Sequence, residues 1–184
     1  VSGLDLLAYV DQLHAVVDNI VQPLTRAHGP RLRCAPGCHG CCVDRITVFE
    51  VEADLLRARH AALFDEEPHP EGACALLDPA GRCRAYADRP YVCRTQGLPL
   101  RWAELRGGAA VERRDICPLN DEEGPPVRLL TADACWTVGP VEQRLAAAQA
   151  LHPAGAGARV PLRALFRAAD PGPAADPVTA LPGR

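Results

Sequence analysis

Cys34-Ala-Pro-Gly-Cys38-His-Gly-Cys41-Cys42 sets four thiols within nine residues, in a Pro/Gly loop that does not favour helix. Five more cysteines follow at wider intervals: Cys74, Cys83, Cys93, Cys117 and Cys135. Thiolates are the softest ligands a protein owns, and this density suits Zn²⁺ or iron–sulfur chemistry. Neighbouring side chains of an extended segment point to opposite faces, so Cys41 and Cys42 do not easily serve one tetrahedral ion together. The spacing therefore predicts two metal centres, or one polynuclear centre, with the vicinal pair divided between them. Eight sulfurs would fill two four-cysteine sites and leave one over; mixed ligation involving His39 is a variant. Gly37 and Gly40 let the loop fold tightly enough for its sulfurs to converge.

Outward from this loop the pattern is mostly helical. Leu6, Val10, Leu13, Val17, Ile20 and Leu24 recur at three- and four-residue steps, predicting a helix over 3–28 that lies as a lid on the metal-binding part. Ser2 with Asp5 reads as its capping box, Gly29-Pro30 as its end, and Pro23 as a kink or an early close. Thr47 with Glu50 reads as a second capping box, opening a helix of about 48–63. Residues 65–73 read as a polar loop, and 74–93 as short, turn-rich and Arg-rich. Stretches 98–105 and 109–116 around Gly107-Gly108 predict a β-hairpin. Pro140 at a first helical position predicts a last helix to about Leu151. An amphipathic piece (Val160, Leu162, Leu165, Phe166) precedes a Pro/Ala-rich tail. Trp102 and Trp136 read as core anchors, and His14 and His60 as packing or surface residues.

The expected organisation is an N-terminal helix packing on the core (1–29), a cysteine-cluster domain (30–135), a C-terminal helical extension (136–169) and a flexible tail (170–184). The fold class is a small α-rich (α+β) domain organised around a cysteine-ligated metal centre, with a minor β-hairpin.

Composition narrows the chemistry. Among 184 residues there is no Lys or Met, and the only Ser is Ser2, which excludes a Schiff-base or P-loop lysine, a Met-ligated copper and a serine nucleophile elbow. Aromatics make up only 4%, a thin core that a bound metal would reinforce. Net charge is −3, so no basic field argues for nucleic acid, and no apolar run is long enough to span a bilayer. Nine cysteines are an odd number, two are adjacent, and Val1–Val10 has no basic start typical of export. These features favour a reducing cytosol and metal-bound thiolates over a secreted disulfide scaffold. Arg31, Arg33 and Arg45 bracket the first cysteines, and Arg82, Arg84, Arg89 and Arg94 the second set, where guanidinium charge offsets that of thiolates. Cys34-x3-Cys38-x2-Cys41 also has the spacing of a radical-SAM cluster loop, but the repeated strand–helix units of that barrel do not follow.

The joint pattern of Cys34-x3-Cys38-x2-Cys41-Cys42, Cys74-Ala-Leu-Leu, Gly81-Arg-Cys83-Arg-Ala-Tyr86 and Arg89-Pro-Tyr-Val-Cys93-Arg94 resembles the YkgJ-like cysteine-cluster proteins over about residues 30–120. These carry a CxxCxxCC domain associated with zinc or iron chelation, and the first gap here is three residues where the family has two. The resemblance implies metal binding by Cys34, Cys38, Cys41, Cys42, Cys74, Cys83 and Cys93, with Cys117 an eighth ligand and Cys135 the spare thiol. Pro90 fixes the turn that delivers Cys93, and Arg89 or Arg94 is expected to donate hydrogen bonds to the sulfurs. The expected function is a cytoplasmic metal-binding protein holding an iron–sulfur cluster (4Fe-4S) or iron, with zinc the alternative. The competing readings are an iron–sulfur oxidoreductase and a zinc module that docks on protein or RNA. The sequence names no protein partner and no reaction.

Overall fold

Asp5 opens the first element: its carboxylate accepts the Ala8 N–H at 3.1 Å and caps α1 (Leu6–His28). The computed structural model describes residues 5–167; Ser2 of the expected capping box and the 170–184 tail lie outside them. α1 continues through Pro23 to His28 instead of closing early. A proline inside a helix costs about 3 kcal/mol. The buried face of Val10, Leu13, Val17 and Val21 outweighs this, at about 1.5–3 kcal/mol for each fully buried side chain.

Beyond the cysteine loop, β1 (Thr47–Phe49) leads directly into α2 (Glu50–Arg59) and a 3-10 turn at Ala61–Asp65. The single helix expected over 48–63 is thus shorter, and Thr47 belongs to a strand instead of capping it. The one-turn helix α3 (Tyr91–Arg94) carries Cys93. The hairpin forms as expected from β2 (Leu100–Arg106) and β3 (Ala109–Asp115). Gly107 and Gly108 both take positive φ, +58° and +83°, as a two-residue turn matched to strand twist requires. β4 (Trp136–Thr137) then precedes α4 (Pro140–Ala150), which starts at the expected proline, and β5 (Arg159–Pro161) comes last.

Among the described residues two small sheets result. β1 pairs antiparallel with β5, with Val48 opposite Val160, and β4 adds in parallel to β2 to give the order β3-β2-β4. With the four helices they make a mixed α+β domain. α2 divides its apolar side chains between two clusters. Leu56 joins Val48, Phe64, Leu76, Leu162 and Phe166, where the Phe64 and Phe166 rings meet edge-on at 5.2 Å. Leu55 joins the α1 face with Tyr91, Trp136 and Leu145. The Trp136 indole donates to the Tyr91 hydroxyl at 2.9 Å, so this tryptophan is a core anchor, while Trp102 is only half-buried. Among the described residues, no helix is long and apolar enough to cross a membrane.

Candidate metal centre

Two consecutive turns build the first cysteine loop. Cys38 N–H donates to Ala35 O at 2.9 Å, with Pro36 and Gly37 (φ +89°) between them, the residue choice of a type II turn. Cys42 N–H then donates to His39 O at 2.9 Å. His39 turns its ring back so that Nδ1–H donates to Gly37 O at 2.8 Å. That leaves Nε2 as the ring nitrogen available to a metal, the arrangement in which a backbone carbonyl orients a ligating imidazole.

The second group of thiols reaches the first through backbone pairing. Cys74 N–H donates to Cys42 O at 2.8 Å, joining the two segments directly. Asp78 organises the next turn: its carboxylate accepts the N–H groups of Ala80 and Arg82 and the Arg82 Nε–H, and this brings Cys83 opposite Leu77. Cys42, Cys74 and Cys83 consequently pack against the same apolar cluster. Arg163 closes the assembly by donating to Asp44, two residues after Cys42, and to the carbonyls of His69 and Ala73, which precede Cys74.

Electrostatics couple five of these sulfurs, from Cys41 on the exposed loop to buried Cys74. The Cys42 thiol bonds to the Cys41 sulfur, which holds Cys41 down to about 6 against the opposing effect of burial; its own N–H and the His39 charge add to the lowering. Cys42 is driven strongly upward by the same bond, by burial, and by the charges of Cys41, Cys74 and Cys93. Burial pushes Cys93 up to about 12, with Cys74, Cys83, Glu52 and Cys41 adding to it. Cys74 and Cys83 are also raised by burial, while Arg89 and Arg84 partly counter this at Cys83. Cys41 and Cys42 thus act on each other and on the same neighbouring sulfurs.

Residues 33–118 match the family model of the CxxCxxCC domain, described as a "putative zinc- or iron-chelating domain", over just under half of the sequence. No curated protein and no solved structure matches the chain. The matched residues hold all the cysteines but Cys135, and that thiol lies buried beside Trp136, facing the charges of Arg114, Arg101, Glu112 and Asp133 instead of the other sulfurs.

All nine cysteines are free thiols. Among the described residues no three Cys, His, Asp or Glu side chains stand in a metal-coordinating arrangement. The donor set nevertheless fits a thiophilic ion. Five thiols resist ionising together because each charge opposes the next, and a divalent cation held by them would supply the missing countercharge. Of the remaining expected ligands, Cys34 and Cys38 are exposed on the first loop, and Cys117 stands half-buried before the 3-10 turn Pro118–Asn120.

The two arginines expected to reach the sulfurs are otherwise engaged. Arg94 donates to Asp18 at 2.5 Å, to His14 Nδ1 at 3.4 Å and to Ala87 O at 3.3 Å. It does so because His14 and Glu52 form a buried polar network on the adjoining faces of α1 and α2, where His14 Nε2–H donates to Glu52 Oε1 at 3.0 Å. Arg89 donates to Tyr86 O and stacks on the Tyr86 ring at 4.4 Å; it acts on Cys83 only through its charge. The side chain that does donate to a sulfur is Asn120, 3.5 Å from Cys34 Sγ. Sequence reasoning passed over Asn120, which carries no pattern, and Glu52, whose place among Val51, Leu55 and Leu56 on one helix was a readable sign of a buried carboxylate.

Proposed function

We propose that the CxxCxxCC domain holds an iron–sulfur cluster or zinc through Cys34, Cys38, Cys41, Cys42, Cys74, Cys83 and Cys93, with Cys117 as the eighth ligand, in a reducing cytoplasm. The observation that carries this reading is the shared environment of Cys41, Cys42, Cys74, Cys83 and Cys93, three of them set in the apolar cluster under α2. Soft donors in apolar surroundings with mutual repulsion favour a metal that neutralises them. A polynuclear iron–sulfur site is favoured over a single zinc, because the adjacent Cys41 and Cys42 do not easily serve one tetrahedral ion together. A bound cluster would supply electron transfer, and zinc would supply folding free energy. The protein's own part is to orient His39 and Cys74 by backbone bonds and to hold the cysteine segments together through Arg163.

Anaerobic purification of the full chain, with iron, zinc and acid-labile sulfide measured on the same sample as the visible spectrum, tests the reading. Iron with matching sulfide and a visible band is the expected result. Zinc without visible absorption would select the zinc form. A protein that takes up neither metal overturns the proposal.

A further inference from the structure

Asn120 is fully buried, and both polar atoms of its side chain have partners. Arg33 N–H donates to Oδ1 at 2.7 Å, and Nδ2 donates to Gly97 O at 2.8 Å. A backbone N–H needs an oxygen and a carbonyl needs an N–H, so these two bonds fix which end of the amide is which. One Nδ2 proton remains, and it faces Cys34 Sγ at 3.5 Å. With no solvent at the amide, the sulfur is the partner that satisfies it.

The surroundings are shaped to that contact. Gly97 takes φ +90°, and a Cβ there would lie 2.6 Å from Cys34 Sγ and 3.2 Å from Asn120 Nδ2, so only glycine leaves room for the sulfur beside the amide. Asn120 N–H donates to Cys117 O at 2.8 Å, and Arg31, itself buried, donates to Asn120 O at 2.7 Å and to Asp121 at 3.0 Å. One anchored turn therefore carries Cys117 and aims a donor at Cys34. Asn120 lies just past the segment that matches the family.

We propose that Asn120 is a positioning residue of the metal centre: its amide donates to the Cys34 sulfur in the loaded protein, holding it in place and favouring the metal-bound thiolate. This rests on the metal-binding function proposed above. An N–H donor aimed at a ligating sulfur stabilises its charge, and loss of such an outer partner typically weakens metal binding about 10–100-fold.

The test uses Cd²⁺ on the full chain, comparing wild type, Asn120→Ala, Cys34→Ser and the double variant by chelator competition and by the sulfur-to-metal charge-transfer absorption. Asn120→Ala is expected to weaken Cd²⁺ binding about 10–100-fold and to alter the absorption, with no further loss when Cys34 is already Ser. An equal loss with and without Cys34, or no loss, overturns the proposal. A second measurement needs no variant. The chain has only two asparagines, Asn19 and Asn120, so the side-chain amide protons of Asn120 are readily followed by NMR with Asn19 as reference. Cadmium loading should move one Asn120 amide proton downfield; an unmoved signal on loaded protein overturns the proposal. Wild type that binds no Cd²⁺, zinc or iron overturns the metal-binding reading and this inference together, whereas wild type that binds while indifferent to Asn120 overturns this inference alone.

Discussion

The Tyr91 backbone N–H donates to Glu52 Oε1 at 2.8 Å, so a buried carboxylate on α2 caps the short helix that carries Cys93. The same oxygen accepts from His14, which joins α1, α2 and α3 at one point. Hydrogen bonds to a charged group contribute about 1.5–3 kcal/mol each. Glu52→Ala should therefore destabilise the metal-free protein by about 3 kcal/mol or more, and Glu52→Gln by less, since an acceptor oxygen remains. Urea unfolding measures both; an unchanged midpoint in Glu52→Ala would mean that this bond does not hold α3.

Gly97→Ala and Gly155→Ala separate backbone strain from crowding at Cys34. Both glycines have positive φ, +90° and +87°, but a Cβ at position 155 meets nothing within 4 Å. Each substitution should cost about 1–2 kcal/mol from the left-handed backbone alone. Only Gly97→Ala should also lower metal affinity, because its methyl displaces the Cys34 sulfur. Equal metal affinities in the two variants would contradict the cradle described for Cys34.

Much of the architecture could be read locally. The apolar spacing of Val10, Leu13 and Val17 revealed α1, Pro140 revealed the start of α4, and Gly107-Gly108 revealed the hairpin, because each signal sits inside its own element. β1, β4 and β5 have two or three residues, too few for a period of two to be visible, and β1 finds its partner more than a hundred residues away. The sulfurs were legible as a set, but their partners were not. Arg94 follows Cys93 directly, yet successive helical side chains diverge by about 100°, and it turns to Asp18 and His14 instead.

Acid should weaken the contact between α2 and the 86–88 turn. Burial raises the Asp88 carboxyl, but hydrogen bonds and charge from Arg59 and His60 outweigh this and hold it below its ordinary 3.8. A depressed folded value means that Asp88 stabilises the fold above pH 3.8, and that this contribution fades as pH falls through the lower folded value. Asp88→Asn should lower stability at neutral pH and flatten the acid limb of the stability profile. Urea midpoints from pH 7 down to pH 3 give the comparison; parallel curves for the two proteins would refute the linkage.

Removing Arg163 should loosen the polar loop before Cys74. Its guanidinium pairs with Asp44 and satisfies the His69 and Ala73 carbonyls at 2.8 and 3.1 Å. Arg163→Ala is expected to cost about 2 kcal/mol and to expose residues 65–73 to protease. Limited proteolysis of the metal-free protein checks it, and an unaltered cleavage pattern would show that the loop is held by other means.

β1 completes its pairing only with β5, and the first turn of α2 receives its cap from Gln149, whose Oε1 accepts the Val51 N–H at 3.1 Å. Both supports come from beyond residue 118, where the similarity to other proteins stops. A fragment cut at the edges of that similarity would leave Val48 and Leu56 facing water along the side where Leu162 and Phe166 belong. The matched stretch ends at residue 118; the architecture that supports it closes only some fifty residues later, at Phe166.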